Sequence, residues 1–463
     1  MGTQLGISRP APFVFDRNRV EQYLAFGFNP DVDDPDPLQV LHEWSRQPRP
    51  DLARMSESDL VRAGVRALRA AVEECAVRTA GTRGDQVVFL SGGLDSRTIL
   101  GGLLEIFDRS EILAVTFGMP GEQDFDFAAR VAKVAGVRHE TLESAGVEWT
   151  TQGLVDSVLA RQIPLPFPFG QRYLSYLLHS RVGPDNVFWD GLCGDIVSGK
   201  LFRPGCEAWD WDTAVADFLD KHLLVGRDRL YSSDFEPARS IQPAPLCSTD
   251  DLSCYYQLMY GVRQRHYVST RLLRELPACT PFLAGPWLDL MLRIPVRQRL
   301  KQHLYEEIQK QTFPRLFSLP TTAHGGGAVL ESRFTRTAHR LRFRAEHEMA
   351  RRGLPLFAGR RHESGANAAI RAGYRCTGEI RDLAVENISD LAARGIVDWL
   401  DTGSYLPGCE AIEAPSDEAI TRLLGLEINL KAADQVLRAA DRATRTPAAV
   451  DRAARSSDVG RRD

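Results

Sequence analysis

The stretch VVFLSGGLDSRTILGG, residues 87–102, constrains this chain more than any other part of it. An apolar, β-type run ends in Ser91-Gly92-Gly93-Leu94-Asp95-Ser96, after which Ile99, Leu100, Leu103, Leu104 and Phe107 recur at helical spacing. A buried strand that passes at once into a helix is the opening of a parallel α/β unit. The glycines permit backbone angles that a Cβ would forbid. They also let several N–H groups converge on one anion, backed by the positive end of the helix. Ser91 and Ser96 add hydroxyl donors. Asp95 is misplaced beside an anion unless a cation lies between, and a carboxylate next to phosphate suits Mg²⁺. A plain strand-to-helix turn with Asp95 as N-cap is the simpler alternative, but one glycine would serve it and the serines would be idle.

The surrounding pattern extends the unit. Ser56 or Ser58 caps a helical run that continues through Cys75. Strands are predicted at 86–90, 111–117, 139–142 and 186–190, with helices at 98–107 and 124–135 between them. Strands alternating with helices predict a doubly wound parallel sheet. The expected organisation is an irregular segment over 1–55 with a short helix near 17–26, an α/β core over 56–205, a mostly helical region over 206–440, and a disordered Arg- and Ala-rich tail over 441–463.

Bulk properties exclude several classes. The chain has 463 residues, a quarter of them charged, and a formal net charge of −4. That balance does not describe a protein that coats nucleic acid or an anionic membrane. No run approaches the ~20 apolar residues of a membrane span. The N-terminal MGTQLGISRPAPFVFD has neither the regions of a signal peptide nor the Ser or Thr of a myristoylation signal. The eight cysteines lack metal-knuckle spacing and read as free thiols of a cytoplasmic protein.

A second glycine-rich stretch, FWDGLCGDIVSGKLF, spans 188–202. Gly194-x-x-x-x-Gly199-Lys200 is one residue short of a P-loop, because Leu201 stands where the Mg²⁺-ligating Ser or Thr is needed. It remains the alternative phosphate loop.

Ser91 to Ser96 resembles the PP-loop of the N-type ATP pyrophosphatases, which split ATP into AMP and pyrophosphate. Asp190-Gly191-Leu192-Cys193-Gly194-Asp195, with Gly199 beyond, is similar to the second ATP-site motif of the asparagine synthetase-like and β-lactam synthetase-like amide ligases. That resemblance implies ATP and Mg²⁺ as cofactors. It implies nucleotide contacts from Leu90, Ser91, Gly92, Gly93, Asp95, Ser96, Phe117 and Gly191, and metal ligation by Asp95 and Asp195. The order Pro281-Phe282-Leu283, Ile294-Pro295, then a Lys-bearing helix resembles the family's C-terminal part, and by position Lys301 is its catalytic lysine. A cation there would stabilise the oxyanion formed when an amine attacks an acyl-adenylate; an ordinary solvated helix lysine is the equal alternative. Ile196, Leu192 and Ala284 depart from the family's patterns, which leaves the substrate open.

The glutamine-dependent members begin with a glutaminase domain, for which the sequence before Ser91 is too short. The expected function is therefore ATP-dependent amide formation in specialised biosynthesis. The partners are a small-molecule or peptide carboxylate and an amine, with room for a separate ammonia-supplying protein and a homodimer, and without nucleic acid or membrane. Adenylation of an RNA base, and nucleotide binding without catalysis, are the other readings. The stretch TTAHGGGA, 321–328, reads as a lid or a bare linker.

Overall fold

The computed structural model describes residues 15–30, 52–161, 169–245, 252–264, 278–351, 377–406 and 415–445, with 164, 248–249, 370 and 373–374 between them. Its centre is a five-stranded, all-parallel sheet in the order β3-β2-β1-β4-β5. The strands are β1 (Gln86–Phe89), β2 (Ile112–Gly118), β3 (Arg138–Glu143), β4 (Val187–Trp189) and β5 (Ala278–Cys279). Val88 of β1 pairs with Ala114 on one side and Trp189 on the other.

The chain winds outward through β2 and β3, then returns to lay β4 against the free side of β1. Connections therefore diverge between β1 and β4. In such sheets ligands bind at this switch point, beyond the carboxyl ends of the strands. The loops after β1 and β4 carry the two glycine-rich motifs.

The apolar run of β1 follows from burial on both faces. Val87 packs with Leu113, Val115, Phe188 and Leu178. Val88 points the other way, into a larger core with Leu68, Val72, Leu100 and Trp189. The helices around this sheet include α2 (Glu57–Arg78), α3 (Asp95–Ile106), α4 (Gln123–Ala135) and α6 (Gly170–Val182); α1 (Arg17–Phe26) precedes them and α5 (Thr151–Arg161) lies between α4 and α6. Ser56 caps α2 by accepting from Asp59 N–H at 3.2 Å, as its sequence indicates.

Beyond β4 come α7 (Trp211–His222), α8 (Gly285–Arg293), α9 (His303–Thr312), α10 (Arg333–Arg351), α11 (Glu379–Arg394) and α12 (Asp417–Arg445). The helical character expected after residue 206 is present, with one addition: β5 extends the sheet from within that region. Two residues carry no period by which a sequence could announce a strand. The helix near 17–26 joins a second core with α5, α11 and α12, through Tyr23, Leu24, Leu154, Leu391, Leu423 and Leu424. Helix α12 runs past residue 440 to Arg445, so the first residues of the segment expected as a tail are helical; positions 446–463 lie outside the described residues. Among the described residues no helix is long and apolar enough to cross a membrane. Cys75, Cys193, Cys206, Cys254 and Cys279 are buried free thiols; Cys247, Cys376 and Cys409 lie outside the described residues.

Candidate active site

A cavity of about 670 Å³ opens at the switch point. Its lining includes Leu90, Ser91, Gly93, Asp95, Ser96, Phe117, Gly191 and Asp195. Of the residues the sequence singled out, Gly92 and Lys301 are not on its wall.

The loop after β1 is wired to itself. Ser91 N–H donates to Ser96 Oγ at 3.0 Å, and Gly93 N–H donates to Ser91 Oγ at 3.2 Å. Helix α3 begins at Asp95, three residues earlier than its apolar spacing indicates, and its N-cap, Leu94, supplies no side-chain cap. Asp95 is thus inside the first turn and does not cap it. An uncapped first turn presents backbone donors and a positive dipole end to the cavity.

Gly92 sits beneath the loop, where it is a structural junction. Its carbonyl accepts from Thr321 Oγ1 at 2.9 Å, from Thr322 N–H at 3.0 Å and from the Arg97 guanidinium at 3.3 Å. A Cβ at this position would lie 2.8 Å from Thr322 Cγ2 and 3.0 Å from Asp124 Cα, so only glycine fits. The fully buried Arg97 also donates to the carbonyls of Leu316, Leu319 and Pro320, which ties the loop to the segment after α9.

The two motifs meet at Asp95. A Cβ on Gly194 would stand 2.6 Å from Asp95 Cγ, and one on Gly191 would stand 3.0 Å from the Asp95 carbonyl carbon. On the other side, Tyr305 OH of α9 donates to Asp95 Oδ1 at 3.0 Å. Burial, reinforced by the Asp95 charge, holds the Tyr305 phenol well above its ordinary pKa, so it stays a donor. Asp195 lies in the single-turn helix Gly194–Val197, with Lys200 Nζ 3.8 Å from its Oδ2. Cys193, just before that turn, holds a positive φ of 67°, a strained conformation for a side-chain-bearing residue at a functional loop.

The stretch from Gly194 to Lys200 does not form a P-loop. Val197 N–H donates to Cys193 O, Ser198 N–H to Gly194 O and Lys200 N–H to Asp195 O. Those donors close helical turns and do not converge on an anion.

The sequence reading missed the wall residues Glu122 and Asp124, and it met Lys200 and Thr322 only as parts of a phosphate-loop alternative and of a lid or linker. Burial raises the Asp124 carboxyl above its usual range, and the Thr322 hydroxyl, the Gly92 N–H and the Lys200 charge pull it back. Glu122 and Asp124 stand at the carboxyl end of β2, where the switch-point rule could have found them. Gln171 and Arg172, at the start of α6, complete this side of the wall; positions 165–168 just before them lie outside the described residues.

The Gly-rich stretch after Thr321 is neither a lid nor a bare linker here. Pro320 and Ala328 form an antiparallel bridge, Thr321 N–H donates to Gly327 O, and Gly326 N–H donates to Thr321 O. Buried His324 pairs with Glu306 at 3.1 Å, and Arg336 of α10 joins both. This knot braces the loop through Gly92.

Lys301 occupies a left-handed turn at φ 57°, followed by Gln302 at φ 62°. That break between the short helix Val296–Arg299 and α9 leaves the Lys301 side chain exposed, while Gln302 faces the cavity. Lys301 is therefore the kink within a distorted 3₁₀ turn (Leu300–Gln302) and not part of α9.

No curated protein matches the chain. Residues 66–226 match the family model described as asparagine synthase, a span that runs from within α2 past β4 and contains both glycine-rich loops. Over that span the chain is similar to the asparagine synthetase-like ATP-dependent ligases.

Proposed function

We propose that the protein adenylates a substrate carboxylate with ATP, releases pyrophosphate, and passes the acyl group to an amine or ammonia. The observation that carries this reading is the face-to-face packing of the two loops, with Gly191 and Gly194 against Asp95. It puts a carboxylate-bearing helix N-terminus opposite a second carboxylate, Asp195, in one cavity.

The nucleotide would lie between Leu90, Phe117 and Gly191, with its phosphates at Ser91, Gly93 and Ser96. Asp95 and Asp195 would hold Mg²⁺, which would supply charge neutralisation to the polyphosphate. Two protein carboxylates with phosphate oxygens suit that ion. Among the described residues no group of three or more His, Cys, Asp or Glu is arranged as an all-protein metal cage. Tyr305 keeps the Asp95 carboxylate aimed into the cavity. Gln171, Arg172 and Glu122 remain to contact the acyl substrate. The departures at Leu192, Ile196 and Ala284 support a substrate other than free aspartate, from specialised biosynthesis. Ammonia from a separate protein and action as a cytoplasmic homodimer belong to the same reading.

The test is carboxylate-dependent exchange of labelled pyrophosphate into ATP, run against a panel of amino acids, carboxylic acids and peptides. Exchange with one class of acid, lost in Asp95→Ala, identifies the adenylated substrate. Exchange that survives Asp95→Ala refutes the assignment of the site.

A further inference from the structure

An adenylating site needs a cation for the pyrophosphate that leaves, beyond what Mg²⁺ neutralises. Of the described residues on the cavity wall, two are cationic, Arg172 and Lys200. They serve different ends of it. The charge of Arg172 is felt by Arg161 and Tyr23, on the side of the second core. Lys200 belongs to the phosphate end. Its Nζ is 3.8 Å from Asp195 Oδ2, and its charge acts on Asp124, which in turn hydrogen-bonds the Thr322 hydroxyl and Gly92 N–H of the loop. The base of Lys200 is fixed: its N–H donates to Asp195 O at 2.9 Å, and the preceding Gly199, at φ 97°, packs on the Arg299 carbonyl. Its side chain, in contrast, is exposed and held by one long ion pair. A fixed backbone and a lightly held ammonium suit a group that must follow a moving phosphate.

We propose that Lys200 is the residue that binds the β- and γ-phosphates and the departing pyrophosphate, a role distinct from the oxyanion stabilisation that the sequence resemblance implied for Lys301. This rests on the adenylation reading. A carboxylate oxygen forms the new bond to Pα, and the bond from Pα to the bridging oxygen breaks. The electron pair stays on pyrophosphate, whose new charge Lys200 meets with its N–H donors. Lys301, on the exposed side of a left-handed turn, is not on the cavity wall.

The test is calorimetric titration of the full-length protein and its Lys200→Met and Lys200→Arg variants with sodium pyrophosphate, with ATP in EDTA, and with AMP. Lys200→Met is expected to weaken pyrophosphate and ATP about tenfold while AMP changes less than about twofold, because a charge-assisted contact to the outer phosphates is lost. Lys200→Arg is expected to recover most of the loss. Unchanged pyrophosphate binding in Lys200→Met overturns the proposal, as does an equal loss for AMP or the same loss in Lys301→Met. A wild-type protein that binds none of the three ligands overturns the adenylation reading and this proposal with it. Wild-type binding that Lys200→Met leaves intact overturns this proposal alone.

Discussion

Tyr305 donates its phenolic proton to Asp95 Oδ1 at 3.0 Å, which links α9 to the first turn of α3 across 210 residues of sequence. The ring packs edge-on against Phe282 and Trp287, so its position is set by the core and its hydroxyl is what reaches the site. A tyrosine one turn past Lys301 reads as packing from sequence alone. The structure gives it both jobs.

Tyr305→Phe separates them. The ring contacts remain, and Asp95 loses a donor to a charged acceptor, worth roughly 1.5–3 kcal/mol. Turnover is expected to fall about tenfold or more, and the Mg²⁺ concentration for half-maximal rate to shift. Unfolding by denaturant should show a loss no larger than this hydrogen bond. A large loss of stability with an unchanged Mg²⁺ profile would show that the hydroxyl serves the core and not the carboxylate.

Gly194→Ala places a methyl 2.6 Å from Asp95 Cγ. The loops must part, at a cost of roughly 1–3 kcal/mol in stability. Activity should suffer more than stability, because the two carboxylates lose their relation. Gly191→Ala, at 3.0 Å from the Asp95 backbone, should be milder. Steady-state rates and urea midpoints of the two variants give the comparison; equal loss in both would contradict this ordering.

Arg97 is fully buried and serves the carbonyls of Gly92, Leu316, Leu319 and Pro320. Burial pushes its pKa down to about 10, so the guanidinium stays charged at neutral pH. Arg97→Met leaves four acceptors, those of Gly92 and Leu316 buried, without this donor and should destabilise the protein by about 3 kcal/mol or more. Arg97→Lys should not rescue it, because one ammonium cannot reproduce the planar fork. Chemical denaturation of both variants measures this, and full rescue by lysine would refute the geometric argument.

His179 provides a pH test of the fold. It is buried against Phe89 and Phe188, and burial pushes its pKa down to about 4 from 6.5, with the Ser175 carbonyl partly offsetting and Arg161 adding to the effect. As pH falls below 6.5 the unfolded chain takes up this proton and the folded protein does not. The contribution is therefore whole above that pH and is lost progressively down to about 4, by at most ~3 kcal/mol. His179→Phe should flatten this part of the stability–pH profile measured by urea unfolding between pH 7.5 and 5. An unchanged slope would contradict it.

The core of the fold was legible because its signals are local. Val87 and Val88, apolar and followed by two glycines, could only be a strand entering a turn, and Ser56 announced its helix by capping chemistry. The site was legible where a motif carried it, at Ser91–Ser96 and Asp190–Asp195. What was missed depends on contacts between distant segments. Lys200 looked like the end of a P-loop because its neighbours' hydrogen bonds are invisible in sequence. Gly325, Gly326 and Gly327 suggested freedom, yet the Thr321 hydroxyl and the buried Glu306–His324–Arg336 group pin them. Lys301 followed from its position in a family resemblance that places it on a helix, and two successive positive φ angles at Lys301 and Gln302 break that helix.

The central claim is that this cavity splits ATP between its α- and β-phosphates. The direct measurement is identification of the nucleotide products after incubation with ATP, Mg²⁺ and the acid found by pyrophosphate exchange, with wild-type protein and Asp95→Ala. AMP and pyrophosphate in equal amounts, absent from Asp95→Ala, are the predicted result. ADP and inorganic phosphate would contradict the account.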